Sequence, residues 1–453
     1  MTRHSAIALA VAVTFSAAAA RADVDLIARY AVPGTATDLS GLTAPLENGV
    51  SGNLLGGFGS AIAYTGSGAV FIALADRGPN AKPYNPLVDD TTSYIDRFHT
   101  FDLSLTPAAP GSAPTFVLSP QLISTTLLSS ATPLTYGSGA AGTDAARSLG
   151  SGVPPLNAAT GTYYFTARSD GFDPVRPSAY AGNARLDPEA VRVANDGASV
   201  FISDEYGPHV YQFDRATGKR IRAYALPDYY AVDVQSATGD NEIKSSTEGR
   251  ITNRGMEGLA ITPDGKTLIG LMQNPLRQDD GVKGTRNRIV TIDVATGVCH
   301  EYVYPLSSSQ NGTSEILAVN SHVILVDERD TKEGEAAAFK KLFRIDLDGA
   351  TDVTGMRRLP ADGVIAVSKT LFLDLLDPKF GLHNAAFPQK IEGLAFGPEL
   401  VTGGRVRHTL FVTSDNDFLP DQPSWIYVFA IDRADLPDFQ SQVFSTRSSG
   451  STP

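Results

Sequence analysis

One residue pattern is written five times along this chain of 453 residues, and it restricts the possible folds more than any other feature. Each copy opens with a small or acidic residue and an apolar run. A turn that usually holds glycine follows, then a strand ending in carboxylates, then a second strand ending near Asp. The clearest copies begin at Glu189, Glu257, Glu315 and Glu392, in DPEAVRV, MEGLAIT, SEILAVN and IEGLAFG. A divergent copy begins near Gly59, in GSAIAYT. A repeat built only from strands cannot bury both faces alone. Its copies must pack on one another, and radial packing gives a β-propeller.

The expected architecture is therefore all-β: a propeller of four-stranded blades, five repeats recognisable, with five or six blades. Strands are lettered A to D outward from the axis. Strand A begins at the Glu. Strand B is VFISDE, TLIGLMQ, VILVDERD, LFVTSDND or FIALADRG, and strand C is HVYQFD, RIVTIDV, LFRIDL, WIYVFAI or RFHTFDL. The C segments alternate apolar and polar residues, as half-buried strands do. The last copy has no obvious strand D. The segment Asp25 to Pro33 (DLIARYAVP) resembles the strand D of the second copy, Arg220 to Pro227 (RIRAYALP), and is expected to fill that place and close the ring. Closure removes the exposed edges an open sheet would leave. The stretch from about 106 to 185, rich in Gly, Ser, Pro and Ala, reads as a loop insertion or a sixth, degenerate blade. An insertion at 360–390 carries a helical candidate, Leu371 to Leu376.

Arg3 and His4, the apolar run Ala6 to Ala20 and the small-x-small triplet Ala20-Arg21-Ala22 read as a signal peptide cut after Ala22. The organisation expected is a signal peptide at 1–22, one propeller domain at 23–440 and a polar, frayed tail at 441–453. The product is a periplasmic or secreted protein without integral membrane association. The net charge of −12 argues against non-specific nucleic-acid binding. The single cysteine, Cys299, excludes an internal disulfide and reads as a buried small residue. The Asn311-Gly-Thr313 triplet matches a glycosylation sequon but is common by chance.

The repeat brings acids to one mouth. Glu189, Glu257, Glu315 and Glu392 start strand A, and Asp204, Glu205, Asp327, Glu328, Asp415 and Asp417 end strand B, with Asp76 in the matching place of the first copy. Carboxylates crowded into one space stay charged only with cations or basic side chains among them. Oxygen-only donors suit Ca²⁺, and the scarcity of Cys and the scattered His argue against zinc or copper. The expected metal ligands are Asp76, Glu189, Glu205, Glu257, Glu315, Asp327, Glu328, Glu392, Asp415 and Asp417. The catalytic candidates are Glu189, Glu257, Glu392 and Asp204. Arg77, Asn80, Arg254, Asn274 and Arg329 are candidates for holding a small ester substrate. The competing reading is structural: the same acids cap turns and tie blades together.

The motifs ADRGPN at 75–80, LDPEA at 186–190, SDEYGP at 203–208, NRGMEGLA at 253–260 and IEGLA at 391–395 resemble the bacterial phytase-like family, described by an esterase-like activity of phytase. The resemblance spans about Gly41 to Asp432. It implies an exported propeller and hydrolysis of phosphoric or carboxylic esters, with calcium by analogy to propeller phytases. Few lysines are available for a highly anionic substrate (Lys82, Lys244 and Lys283 in loops), so a smaller ester fits equally. No G-x-S-x-G elbow, P-loop or dinucleotide fingerprint occurs. A non-catalytic envelope binding module and a calcium-dependent lactonase remain as alternatives.

Overall fold

The computed structural model describes residues 23–137 and 150–445. The expected signal peptide at 1–22 and the tail from 446 onward lie outside the described residues. Within them the chain forms five antiparallel blades arranged as a propeller. Blade 1 is Ala61–Tyr64, Val70–Leu74, Arg97–Pro107 and Phe116–Leu127. Blade 2 is Pro188–Val193, Ser199–Asp204, His209–Asp214 and Arg220–Ala225. Blade 3 is Met256–Ile261, Thr267–Met272, Arg286–Asp293 and Cys299–Pro305. Blade 4 is Gly312–Ala318, Val323–Arg329, Lys340–Asp346 and Ser368–Asp374. Blade 5 takes Lys390–Phe396, Arg405–Asp415 and Ser424–Asp432, with Val24–Val32 as its strand D.

The closing strand runs antiparallel to strand C of blade 5, with Val24 opposite Ile431 and Val32 opposite Ser424. The A strands of successive blades contact one another around the axis, and blade 1 meets blade 5. Apolar faces are buried between neighbouring blades, as where Phe71 of blade 1 packs on Phe411 of blade 5 with ring centroids 4.5 Å apart.

Two expectations about the insertions change. The 106–185 stretch supplies strand D of blade 1, Phe116–Leu127, and a two-stranded piece pairing Ser129–Ser130 with Tyr163–Tyr164. The described residues hold no sixth blade. Pro120 obscured the strand, and the outermost edge is where a sheet tolerates proline. The Leu371 to Leu376 segment is not helical. Leu371 to Asp374 belong to strand D of blade 4, where Phe372 and Leu373 are buried and Leu371 is exposed, and Leu375 and Leu376 form the turn that follows.

The tail also departs from expectation as far as Ser445. Val443 N donates to Pro263 O at 2.9 Å and Ser445 N to Asn195 O at 2.7 Å. The segment from Phe439 to Ser445 therefore crosses the mouth opposite the carboxylates.

The axis itself is blocked. Arg192 of blade 2 donates to Ile62 O of blade 1 at 2.9 Å and to Ile316 O of blade 4 at 2.7 Å. It lies 2.9 Å from Glu315 Oε2. This buried layer separates the two mouths.

Candidate active site

The ladder between strands A and B is irregular where each Glu sits. Register shifts fall between Pro188 and Val191, Met256 and Gly258, Thr313 and Ile316, and Ile391 and Leu394. Strand A of blade 1, with Ser60 just before it in place of Glu, pairs without a shift. A bulge bends the strand and re-aims a side chain, so these four turn the Glu away from the regular pleat. The glycine after the Glu has its own cause: a Cβ at Gly393 would meet Thr413 Oγ1 and the backbone of Ala61. That accounts for the E-G-L-A motif.

A cavity of about 410 Å³ opens at this mouth, lined among others by Asp76, Glu189, Glu257, Glu392, Arg254 and Lys390. Three oxygen triads form here, each with its ligand atoms within 4.8 Å: Asp76, Asp187 and Glu189; Glu189, Glu205 and Glu257; and Asp76, Asp415 and Asp417. Glu189 belongs to the first two and joins them.

The third triad already contains a cation. Lys390 Nζ lies 2.7 Å from Asp417 Oδ1, 2.9 Å from Asp415 Oδ2 and 3.6 Å from Asp76 Oδ2. Burial pushes Asp417 up, but the ammonium overrides it and holds that carboxyl below its usual range. Arg77 pairs with Asp187, donates to Asn253 Oδ1 at 2.6 Å and lies 3.8 Å from Glu205 Oε2. Asn253 adopts φ +57° to meet it. Arg329 donates to Glu392 Oε1 at 2.6 Å and to Ser314 Oγ at 2.7 Å. Gln273 Nε2 donates to Glu257 Oε1 at 2.5 Å.

The first two triads are electrostatically frustrated. Burial raises Glu189 well above the carboxylate range, and Glu257, Asp76, Asp187 and Glu205 push it further. Burial and then Glu205 raise Glu257 likewise. Asp187 is pushed up to about 6, chiefly by burial and against the pull of Arg77. Its Oδ1 is buried without a hydrogen-bond partner.

Not every expected residue reaches this mouth. Asp204 caps the turn after its strand, accepting from the backbone N–H of Tyr206 at 3.0 Å, Gly207 at 3.1 Å and Asp187 at 3.2 Å. Glu315 lies in the axial layer and accepts from Leu259 N and Ile316 N. Glu328 is buried between blades 3 and 4, where Tyr304, Asn311, Ser307 N and Lys369 all donate to it. Asp327 is buried with neither oxygen hydrogen-bonded, outside the three triads. Asn274 donates to Asn311 O at 3.2 Å and does not line the cavity.

Asn80 and Arg254 do line it, and no side-chain ion pair or hydrogen bond of Arg254 occurs among the described residues. Asp187, Lys390, Asn253, Gln273 and Gln389 were missed. Asp187 and Lys390 stand two residues before the Glu of their copies, so aligning the repeats from two positions before the Glu exposes both.

Residues 53–418 match the Phytase-like family, described as esterase-like activity of phytase. An uncharacterized secreted protein of Arthroderma benhamiae is 28% identical over 451 residues, covering 81% of this chain and 84% of that one. Among solved structures, hydrazine synthase of Kuenenia stuttgartiensis aligns with a TM-score of 0.33 at 12% identity, over 83% of this chain and 80% of the other. The periplasmic gluconolactonase of Pseudomonas aeruginosa aligns with a TM-score of 0.32 at 11% identity, over 81% and 83%. No helix of the described residues is long and apolar enough to cross a membrane.

Proposed function

This chain belongs to the phytase-like family, and on that premise we propose that it is an exported, calcium-dependent hydrolase of small phosphoric or carboxylic esters, working at the carboxylate mouth. Export with cleavage after Ala22 is part of the proposal. The observation that carries it is Glu189 shared between two oxygen triads, one containing a buried, unpartnered Asp187 oxygen. That donor set fits a hard cation: all ligands are oxygen, several are held above their normal pKa by burial and mutual repulsion, and the cations beside them are few, Arg77 at Asp187 and Lys390 3.6 Å from Asp76. Asp76, Asp187, Glu189, Glu205 and Glu257 would hold Ca²⁺. The ion, when bound, supplies Lewis acidity toward the ester oxygen.

The chain's own groups divide the remaining work. Glu392 lies in the cavity wall outside all three triads, with one oxygen fixed by Arg329. In this reading it takes a proton from the attacking water and returns it to the departing oxygen as the ester bond breaks. Gln273 orients Glu257. Arg254 and Asn80 present donors at the wall for the oxygens of the ester. A lactone, as a cyclic ester, meets the same groups.

The binding-module reading keeps one specific support: the ion pairs tie neighbouring blades. Arg77 reaches from blade 1 to Asp187 before blade 2, Arg329 from blade 4 to blade 5, and Lys390 from blade 5 to Asp76 after strand B of blade 1. The test is hydrolysis of chromogenic phosphate esters, carboxylic esters and a lactone by the mature protein, in calcium and then in chelator. Hydrolysis that chelator abolishes and calcium restores supports the proposal. Full activity in chelator overturns the metal role, and inactivity of the folded, calcium-loaded protein on every ester favours the binding module.

A further inference from the structure

The mouth opposite the carboxylates holds a second cavity, of about 490 Å³, between the ends of the A strands and the tail segment. Volumes of roughly 300–1,000 Å³ are those that enclose a small organic ligand. Its walls are aromatic in two pairs. Tyr64 and Phe444 meet edge to face with centroids 6.3 Å apart, and Phe396 and Phe439 do so at 4.5 Å. All four rings are only half-buried, so apolar surface that the fold could have packed away is left facing the cavity.

The roof is built rather than draped. Gln440 N donates to Val319 O at 2.8 Å, and Gln442 Nε2 to Val193 O at 2.8 Å and to Asn195 Oδ1 at 2.7 Å. Together with the Val443 and Ser445 bonds, polar anchors hold the segment to blades 2, 3 and 4. Phe444 and Phe439 rest on blades 1 and 5.

Charge at the wall is already matched. Arg192 faces Glu315 at 2.9 Å, and Glu399 accepts from Arg433 at 2.5 Å with His408 3.5 Å away. No charged group there calls for a counter-ion from a ligand. Bare aromatic surface, enclosure and internally paired charge together select an uncharged molecule with a ring.

We propose that this cavity is a binding site for a small, uncharged, ring-bearing apolar molecule, held between the A-strand ends and the Phe439–Ser445 strap. The site does not depend on the hydrolase reading, because the Arg192 layer closes the axis between the mouths.

The test uses the full mature chain with N-phenyl-1-naphthylamine, a neutral fluorescent probe. Saturable binding of one probe per chain, with a blue-shifted emission, is expected. Ala318→Trp, which fills the cavity, should weaken binding at least about tenfold, and Phe444→Ser should do the same by removing a wall. Glu189→Gln, at the other mouth, should leave probe affinity unchanged. Should Ala318→Trp not fold, judged by circular dichroism, Phe444→Ser decides. Absence of saturable binding, or equal affinity in the wild type and the folded variants, would overturn the proposal and leave a water-filled void. Hydrolysis measured on the same samples keeps the two readings apart, since loss of one does not entail loss of the other.

Discussion

Replacing Glu189 with Gln should have opposite effects with and without calcium. The carboxylate lies within 4.8 Å of ligand atoms of Asp76, Asp187, Glu205 and Glu257. At an effective dielectric near 20, two like charges at that separation repel by roughly 3 kcal/mol. Protonation limits the total, so relief of about one such repulsion is the reasonable size of the effect in chelator. For a chain this long, about 1 kcal/mol moves the melting temperature by roughly 1 °C. The variant should therefore melt about 3 °C higher than wild type in chelator. Calcium reverses the order. An ion present at a hundredfold excess over its Kd stabilises by about 2.7 kcal/mol, and two ions sharing Glu189 by about twice that. The wild type should gain roughly 5 °C on adding calcium and the variant little.

The pH dependence has a definite sign. Glu189 is raised well above its usual value, Asp187 to about 6 and Asp415 to about 8. Carboxyls raised in the native state bind more protons there than in the unfolded chain, so apo stability falls as pH rises from about 4.3 through this range. Glu189→Gln flattens the fall. Thermal denaturation across pH 5 to 8, in chelator and in millimolar calcium, provides the measurement. A wild-type melting temperature indifferent to calcium, or a variant that keeps the full calcium shift, would refute the shared-ligand reasoning.

Three further outcomes follow from the same geometry. Lys390→Met should free the Asp76, Asp415 and Asp417 triad, so equilibrium dialysis should count one more divalent ion per chain than in the wild type; an unchanged count would mean the ammonium is not standing in for a metal. Arg254→Ala should raise KM several-fold with kcat nearly unchanged on an anionic ester, whereas a fall confined to kcat would place the guanidinium at the reacting atoms. Deleting Val24–Val32 should leave strand C of blade 5 as an open edge, and size-exclusion chromatography should then show aggregated protein instead of a monodisperse peak.

The fold was legible because the propeller repeats its grammar. The N-terminal strand was found by its likeness to Arg220–Pro227, and the ring closes as that likeness demands. What escaped was structure outside the repeat. Strand D of blade 1 hides in a Gly/Ser/Pro-rich stretch, and strand D of blade 4 carries a leucine-rich run that reads equally as helix. Acid doublets posed a separate difficulty. Successive strand residues point to opposite faces, so in Asp327-Glu328 and Asp204-Glu205 composition alone does not say which member looks inward. Asp204 caps a turn while Glu205 joins a triad, and Glu328 is taken up by Tyr304, Asn311 and Lys369.

The site arises where the five-fold pattern is broken. Four blades carry a Glu at the bulge, yet blade 4 contributes to none of the triads, because Arg192 holds Glu315 in the axial layer. Blade 1 carries Ser60 instead, and its hydroxyl donates to Glu189 Oε2 at 3.3 Å, leaving the space a fifth Glu would occupy beside the shared carboxylate. The residue two places before the Glu is Asp187 in blade 2 and Lys390 in blade 5, so the same backbone position supplies a metal-type ligand on one side and a fixed cation on the other. A symmetric ring of five glutamates would repel evenly and favour no one point. Replacing one by serine, diverting one to arginine and neutralising one side with lysine moves the uncompensated charge off the axis, toward blades 1 to 3. That displacement gathers the two cation-competent triads at blades 1 to 3, while Glu392 and Arg329 line the same cavity from blades 5 and 4.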